Sequence, residues 1–526
     1  MGLPELLAIL LVVAVCALLM AGYPVAFTFG GVALAFALIG DLLGVMPLSL
    51  LGALPPRVFG VMTNEVLLAI PLFILMGVML ERSRIAEELL ETMGRLFGSL
   101  TGGLAISVTI VGVLLAAAKG VVGATVVTMG LITLPAMLRH GYDPRLAAGT
   151  VAATATLAQI MPPATVLVLL GDQLNNAYQA AQLAEGKFAP EQVSVSDLFA
   201  GAVVPGLTLV GLYLVFQIAV AVLQPKACPA IPHDPDAPQG GAMLRRLAEV
   251  LVAPVALIVV VLGSILGGLA TPTEAAGVGA FGALLLTARK VAPARSAPVL
   301  GAIAALVALL VLRSLVDLRI GRADASALHL AAVAAALLLL AVAAYGTFMA
   351  IAAIARAGIL ADALAATTHV TAMIFAILIG ATMFSLVFRG LGGDEMVQRT
   401  LADLPGGVAG AILTVMAAMF LLGFVMDAFE IIFVVVPIVA PPLLRMPGVD
   451  PVWLGILMAV NLQTSYLHPP LGPTLFYLRG VAPPQITTAH IYVGIIPFVL
   501  IQLGMLIVLW FWPGLATSLP HALAGR

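Results

Sequence analysis

The chain alternates long apolar runs with short polar breaks, and the breaks decide how each run is read. Apolar segments at 5–22 and 24–44 are divided by the tight turn Ala21-Gly22-Tyr23-Pro24. Residues 52–64 read as a connection, after which Ile70-Pro71-Leu72-Phe73 opens a third span. From Glu81 to Glu91, charges alternate with apolar residues at helical spacing. That pattern predicts an amphipathic arm helix lying along the interface. Between 104 and 138, two apolar legs meet at Ala118-Lys119-Gly120-Val121-Val122-Gly123-Ala124-Thr125. Neither leg reaches the ~20 residues of a comfortable crossing, so a re-entrant hairpin is predicted. Residues 171–197 are polar and predict an aqueous excursion, and 225–246, rich in proline, glycine and charge, predict a linker between halves. Beyond it, Leu269–Ala276 is a turn feeding a helix, and Arg289–Arg295 is a basic, candidate cytoplasmic loop. Segments 297–318 and 328–355 flank a charged connection containing Arg319, Arg322 and Asp324 and read either as two spans or as one span and a cover. Runs at 370–388 and 490–513 follow, the last with Trp510 and Trp512 placed like an interfacial belt.

One pattern occurs twice. Gly141-Tyr142-Asp143-Pro144 leads through an apolar stretch to Met161-Pro162-Pro163-Ala164; Gly448-Val449-Asp450-Pro451 leads likewise to His468-Pro469-Pro470-Leu471. The offset is 307 residues at both ends (450 − 143 and 469 − 162). Each copy predicts a polar turn, a helix of about five turns, and a break at the double proline, which lacks the backbone donor and clashes with the preceding turn. Backbone opened at membrane depth survives only where it is buried in protein or lines a cavity. Matching breaks in two halves point to a transporter's binding site; a pair of structural kinks is the other reading. The same offset places a second hairpin at 412–445, its tip at Met426–Glu430. The chain then divides into a first repeat, 1–224 (hairpin 104–138, broken helix 145–171), the linker 225–246, and a second repeat, 247–526 (hairpin 412–445, broken helix 452–480, last span 490–513).

Composition narrows the class. Of 526 residues, 62% are hydrophobic and 9% charged, and mean hydropathy is +1.18. Such a chain is an all-α polytopic membrane protein whose first partner is the lipid bilayer. The N-terminus has no basic lead and no convincing cleavage site, so it reads as a first span, not a signal peptide. The net charge of −2 gives no reason to expect nucleic acid, and Cys16 and Cys228 form no CxxC. Neither HExxH nor GxSxG occurs, so no enzyme is expected.

Broken helix ends offer amide dipoles to anions and free carbonyls to cations. The candidate substrate- or ion-binding residues therefore cluster at the two breaks and the two tips. In the second half these are Asn461, Gln463, Thr464 and Ser465, just before Pro469 and Pro470; interhelical hydrogen bonding is their alternative role. In the first half Thr150, Thr154, Thr156 and Gln159 precede Pro162 and Pro163. At the hairpin tips stand Lys119, Gly120, Gly123 and Thr125, and Asp427 and Glu430, whose i, i+3 spacing puts both on one helix face. A lysine at bilayer depth costs at least ~2.5–3.5 kcal/mol on insertion scales. Lys119 is therefore expected either to approach Asp427, Glu430 or the substrate, or to snorkel from a shallow hairpin. His468 is a candidate proton carrier, since its unperturbed pKa is ~6.5, or else a packed histidine.

Taken together, Gly22–Ala26, Ile70–Gly77, Pro135–Asp143, Met161-Pro162-Pro163, Thr271–Ala276 and His468-Pro469-Pro470 resemble, in order and over most of the chain, the large membrane subunit of tripartite ATP-independent periplasmic (TRAP) transporters. Val121–Gly130, Asn461–Leu467 and Phe476–Gly480 are most similar to the branch labelled mannitol/chloroaromatic. The resemblance implies two inverted repeats in an elevator-type fold and location in the bacterial inner membrane. It also implies a small membrane subunit, a periplasmic substrate-binding protein and a small organic anion, usually a carboxylate, as cargo. The expected coupling ion is sodium, with protons as an alternative and no other cofactor. The chain opens on the first repeat, so the small subunit is not expected to be fused in front of it. Two positions depart from the family's pattern: Lys119 stands where small hydroxyl residues are usual, and Ala164 where a serine commonly follows the first Pro-Pro. An ammonium there would replace a sodium charge or pair with cargo. A stand-alone ion-coupled carboxylate symporter of similar architecture is the competing reading.

Overall fold

The computed structural model describes residues 2–83, 85–231, 241–293, 296–319, 327–523 and 525, and these form helices, turns and connections without a strand among them. Among the described residues, eight helices are long and apolar enough to cross a membrane by length and composition. The proposed arm is present as Ile85–Phe97, with Leu89, Leu90 and Met93 buried.

Several expectations change in the folded chain. The connection at 52–64 is largely the helix Leu54–Met62, because Pro55 and Pro56 lie in its first turn, where their missing donors cost nothing. The polar stretch from 171 continues the first broken helix as Thr165–Ala184. Its Leu174, Ala177 and Ala181 repeat at helical spacing and are buried, so the polar residues cover only one face. The helix Gly241–Leu266 begins inside the expected linker, of which 232–240 lie outside the described residues. Residues 297–355 form two candidate spans, Ser296–Leu315 and His329–Arg356.

The internal repeat has atomic counterparts. Asp143 caps Pro144–Thr156 and Asp450 caps Pro451–Leu467, and both Pro-Pro bonds are cis. Thr154 Oγ1 lies 3.4 Å from Thr109 Oγ1, while Asn461 Nδ2 donates to the Met416 carbonyl at 2.8 Å; both pairs are 45 residues apart and tie a broken helix to the first leg of its hairpin. Gln463 Nε2 meets Thr156 Oγ1 at 3.4 Å, and these two residues are themselves 307 apart. Equivalent residues touch where a two-fold axis passes between them.

Thr156 is the hub at that axis. Its hydroxyl donates to the Ala153 carbonyl at 2.8 Å and accepts from Gln463 and, at 3.3 Å, from Gln502, which also donates to Tyr213 at 2.7 Å. Replacing Thr156 by valine leaves a buried carboxamide donor unmatched, worth about 2 kcal/mol. The melting temperature should fall by about 2 °C for a chain this long, measured by tryptophan fluorescence in detergent.

The outer helices pair across the halves. Val25–Leu42 packs on Ile359–Gly390, where a Cβ on Gly380 would lie 2.5 Å from the Ala26 carbonyl oxygen and Phe29 meets Phe384 at 5.6 Å between centroids. Ala69–Arg82 packs on Pro272–Val291: Thr273 Oγ1 donates to the Glu65 carbonyl just ahead of the first helix, and Thr287 Oγ1 to that of Met79. Both bonds join residues 208 apart, so the two segments run parallel.

Candidate functional site

Two hairpin tips and two helix breaks converge on one cavity of about 450 Å³. Gly120 and Gly123 line it from the first tip, Asp427 and Ala428 from the second, and Gln159 and Tyr466 from the two broken helices. Glu81, at the end of Ala69–Arg82, faces it from the outer frame and accepts a hydrogen bond from Thr128 at 2.7 Å.

The first tip is held by backbone geometry. The helix Gly103–Lys119 ends on Gly120 at φ +61, a left-handed conformation glycine adopts without penalty. The Gly120 carbonyl accepts from Thr165 Oγ1 at 2.7 Å, so the first residue of the helix after the break grips the tip. A Cβ on Gly123 would press to 3.1 Å from the Tyr477 ring. Thr125 is fully buried and donates to the Val121 carbonyl at 2.8 Å, behind the cavity wall. Lys119 closes its helix in the backbone, but its side chain, and with it the expected approach to Asp427 or Glu430, lies outside the described residues.

The second tip is a capping box. Asp427 is the N-cap of Ala428–Val434, its carboxylate accepting from the Ala428 N–H at 2.6 Å, and Glu430 reaches back to accept from the Asp427 N–H at 3.1 Å. Three positions apart, the two carboxylates thus meet at the start of this helix, each engaged in the cap, and of the two only Asp427 lines the cavity. The Ala428 N–H also donates to Tyr466 Oη at 2.8 Å, which leaves the phenolic hydrogen to point elsewhere. The carboxamide oxygen of Gln159, a residue 1% exposed, has no hydrogen-bond partner among the described residues.

The remaining candidates sit behind this lining. Thr154 contacts Thr109, which accepts from Gln217 at 2.6 Å. Asn461 and Gln463 make the helix contacts described above, and Thr464 and Ser465 donate to the Val460 and Leu462 carbonyls, each at 2.8 Å. Pro162 and Pro163 are buried, Pro469 is half-buried and Pro470 is exposed. His468 packs between Phe420 and Phe424, with centroids at 5.1 and 5.6 Å, and is not part of the lining. Adjacency to a break does not set the direction of a side chain. Of the lining residues, sequence reasoning passed over Tyr466, Tyr477, Glu81 and Thr128. The repeat offset itself held the signal for Tyr466, which is the counterpart of Gln159.

A polytopic helical bundle whose two halves each present a hairpin tip and a broken helix to one central cavity is the architecture of a membrane transport protein. The family model described as "Tripartite ATP-independent periplasmic transporter, DctM component" matches residues 12–298 and 287–515. The chain belongs to this family of multi-pass inner-membrane permeases. It is 27% identical over 466 residues, 87% of its own length and 86% of the relative's, to the C4-dicarboxylate TRAP transporter large permease protein DctM of Vibrio cholerae. It is 26% identical over 497 residues to the isethionate TRAP transporter permease protein DctMQ of Oleidesulfovibrio alaskensis, covering 94% of this chain and 64% of that one. The crystal structure of the Alcanivorax borkumensis YdaH transporter shares the fold, with a TM-score of 0.51 at 17% identity over 98% of this chain and 100% of that one.

Proposed function

We propose that the chain is the large permease of a tripartite system, importing a small organic anion delivered by a periplasmic binding protein and working beside a small membrane subunit. The observation that carries this reading is the convergence of both tips and both breaks on one cavity. The relatives are named for C4-dicarboxylates, isethionate and ectoine, which keeps small carboxylates and sulfonates foremost. The cavity divides its polar groups by role. The Tyr466 hydroxyl donates to a carboxylate, and the Gln159 oxygen, without a partner among the described residues, accepts from a hydroxyl or amine on the cargo. Sodium, held at carbonyls freed by the breaks, supplies the driving gradient.

The cross-paired outer helices form a stationary frame, and the hairpins with their broken helices, related as inverted repeats, carry the cavity past it as an elevator. Arg82 pairs with Asp362 at 3.6 Å, and Lys290 pairs with Glu88, gathering the arm helix and several basic helix ends at one end of the bundle. The positive-inside rule makes that end cytoplasmic, and Glu81 places the central cavity toward it.

The test is uptake into proteoliposomes holding this chain, its small subunit and the cognate binding protein, with succinate, isethionate and ectoine as probes and sodium and proton gradients imposed separately. Uptake that needs both the binding protein and the sodium gradient is expected. Uptake by this chain alone would favour the stand-alone symporter, and proton-driven uptake would transfer the coupling to titratable groups.

A further inference from the structure

A second cavity, of about 460 Å³, lies further along the same outer helix, which lines the first at Val370 and Met373 and the second from Leu378 to Arg389. Asp362 and Arg389 are both on Ile359–Gly390; at 1.5 Å per residue they stand about 40 Å apart. Arg389 therefore lies at the end of the bundle opposite the Arg82–Asp362 pair. The frame supplies Arg57, Asn64, Thr382 and Arg389 to this cavity, while Asp172 comes from the first broken helix and Phe433 from the second hairpin.

The polar groups here are unequally satisfied. Asp172 accepts from Asn64 at 2.8 Å through one oxygen and from Gln173 at 3.0 Å through the other, so its carboxylate is already engaged by amides. Arg389 uses its Nε on Asp394 at 3.0 Å, which leaves its terminal amines for another acceptor. Arg57, among the described residues, has no ion pair or hydrogen bond. A guanidinium offers five donors in a planar fork suited to carboxylates. The cavity thus presents a visitor with two arginine forks, beside which Asp394 engages Arg389 through one oxygen while its other oxygen is buried without a hydrogen-bond partner among the described residues.

We propose that this cavity is a second binding site, taking a small carboxylate anion between Arg57 and Arg389. Its placement on the periplasmic side, ahead of the cavity between the tips, rests on the orientation argued under the proposed function; the binding itself does not. Because its walls come from both the frame and the hairpin assembly, an anion bound here occupies the cleft across which those parts move.

The experiment uses the full chain in nanodiscs, where both faces are open, with Cys16→Ser, Cys228→Ser and Thr382→Cys. The new thiol is modified with an anionic sulfonatoethyl or a cationic trimethylammonioethyl methanethiosulfonate, each rate normalised to a free thiol. The anionic reagent should react about tenfold faster, as expected where charged walls concentrate a counter-ion. Arg57→Gln should bring the ratio toward one, and Arg57→Lys should retain it. Succinate, as the probe anion, should slow modification in the parent and not after Arg57→Gln. Equal or reversed reagent preference, or a preference and protection unaffected by Arg57→Gln, would overturn the proposal. Arg57 is exposed and, among the described residues, makes no hydrogen bond, so its replacement does not threaten the fold. Labelling requires no transport, so failure of the tripartite reading leaves these results intact.

Discussion

Valine in place of Gly149 keeps this chain from reaching its folded state. Gly149 lies on Pro144–Thr156, where that helix crosses Thr488–Phe511 at Gly494. A Cβ on Gly149 would lie 2.0 Å from the Gly494 carbonyl oxygen, and one on Gly494 would lie 2.0 Å from that of Arg145. Both obstacles are backbone, so no side chain can swing aside. Inside a bilayer such close approach is the main source of helix association, and small residues are what permit it. Overpacking a well-filled core costs about 1–3 kcal/mol and occasionally more; a clash of two backbones belongs at the upper end. The damage also reaches Thr156 and the axis between the halves, since they ride on the same helix. Size-exclusion chromatography of a fluorescently tagged chain should show no monodisperse peak for Gly149→Val. Gly211→Val, where an added Cβ meets nothing within 4 Å, should elute like the parent. A well-behaved Gly149→Val protein with the parent's melting temperature would mean that the helices do not cross so closely.

The second large effect is on transport, with the fold retained. Asp427→Ala removes the N-cap of Ala428–Val434 and opens the capping box from both sides, since Glu430 reaches back to the same residue. Losing an N-cap typically costs about 1 kcal/mol and up to about 2. This cost falls on the few residues that shape the cavity, while the Ala428 N–H keeps only its bond to Tyr466. An ordering loss of about 1.4 kcal/mol at the tip lowers the ratio of competent to incompetent states about tenfold, so uptake should drop by up to that factor while the melting temperature stays near the parent's. Glutamine serves at the third position of a capping box as well as glutamate, so Glu430→Gln should keep most of the uptake. An Asp427→Ala protein that transports normally would remove this tip from the mechanism.

Much of the frame was readable from local chemistry. The double prolines at 162–163 and 469–470 break their helices, and an aspartate ahead of a proline caps one, so the broken helices and their 307-residue offset emerge from the sequence; Pro55-Pro56 and Pro441-Pro442, by contrast, lie within helices. Leg length is a weaker guide: Val122–Arg139, a leg of the first expected hairpin, is itself long and apolar enough to cross a membrane. What was not readable depends on direction or on distant partners. Residues 171–184 were assigned to water on polarity, although Leu174, Ala177 and Ala181 form a buried face. The Asn461–Ser465 cluster was assigned to the site because it is polar beside a break, yet its donors are taken by neighbouring carbonyls and by Thr156. Tyr466, next in the chain and aromatic, is the residue that turns to the cavity. Nothing in a linear pattern says which way a helix is rotated about its axis, and that rotation separates Ser465 from Tyr466.

The exchange of outer helices between halves bears on how the chain is made. Val25–Leu42 waits for Ile359–Gly390, and Ala69–Arg82 for Pro272–Val291. At about 5–20 residues per second, the first of these partners leaves the ribosome on the order of tens of seconds later. For that interval the early helices sit in lipid with glycine- and alanine-rich faces uncovered, at a stage when nothing yet distinguishes the right neighbour from a wrong one. Synthesis must therefore pass residue 291 before the second of these pairs can close and residue 390 before the first can, and a polypeptide released early would strand its first helices without partners.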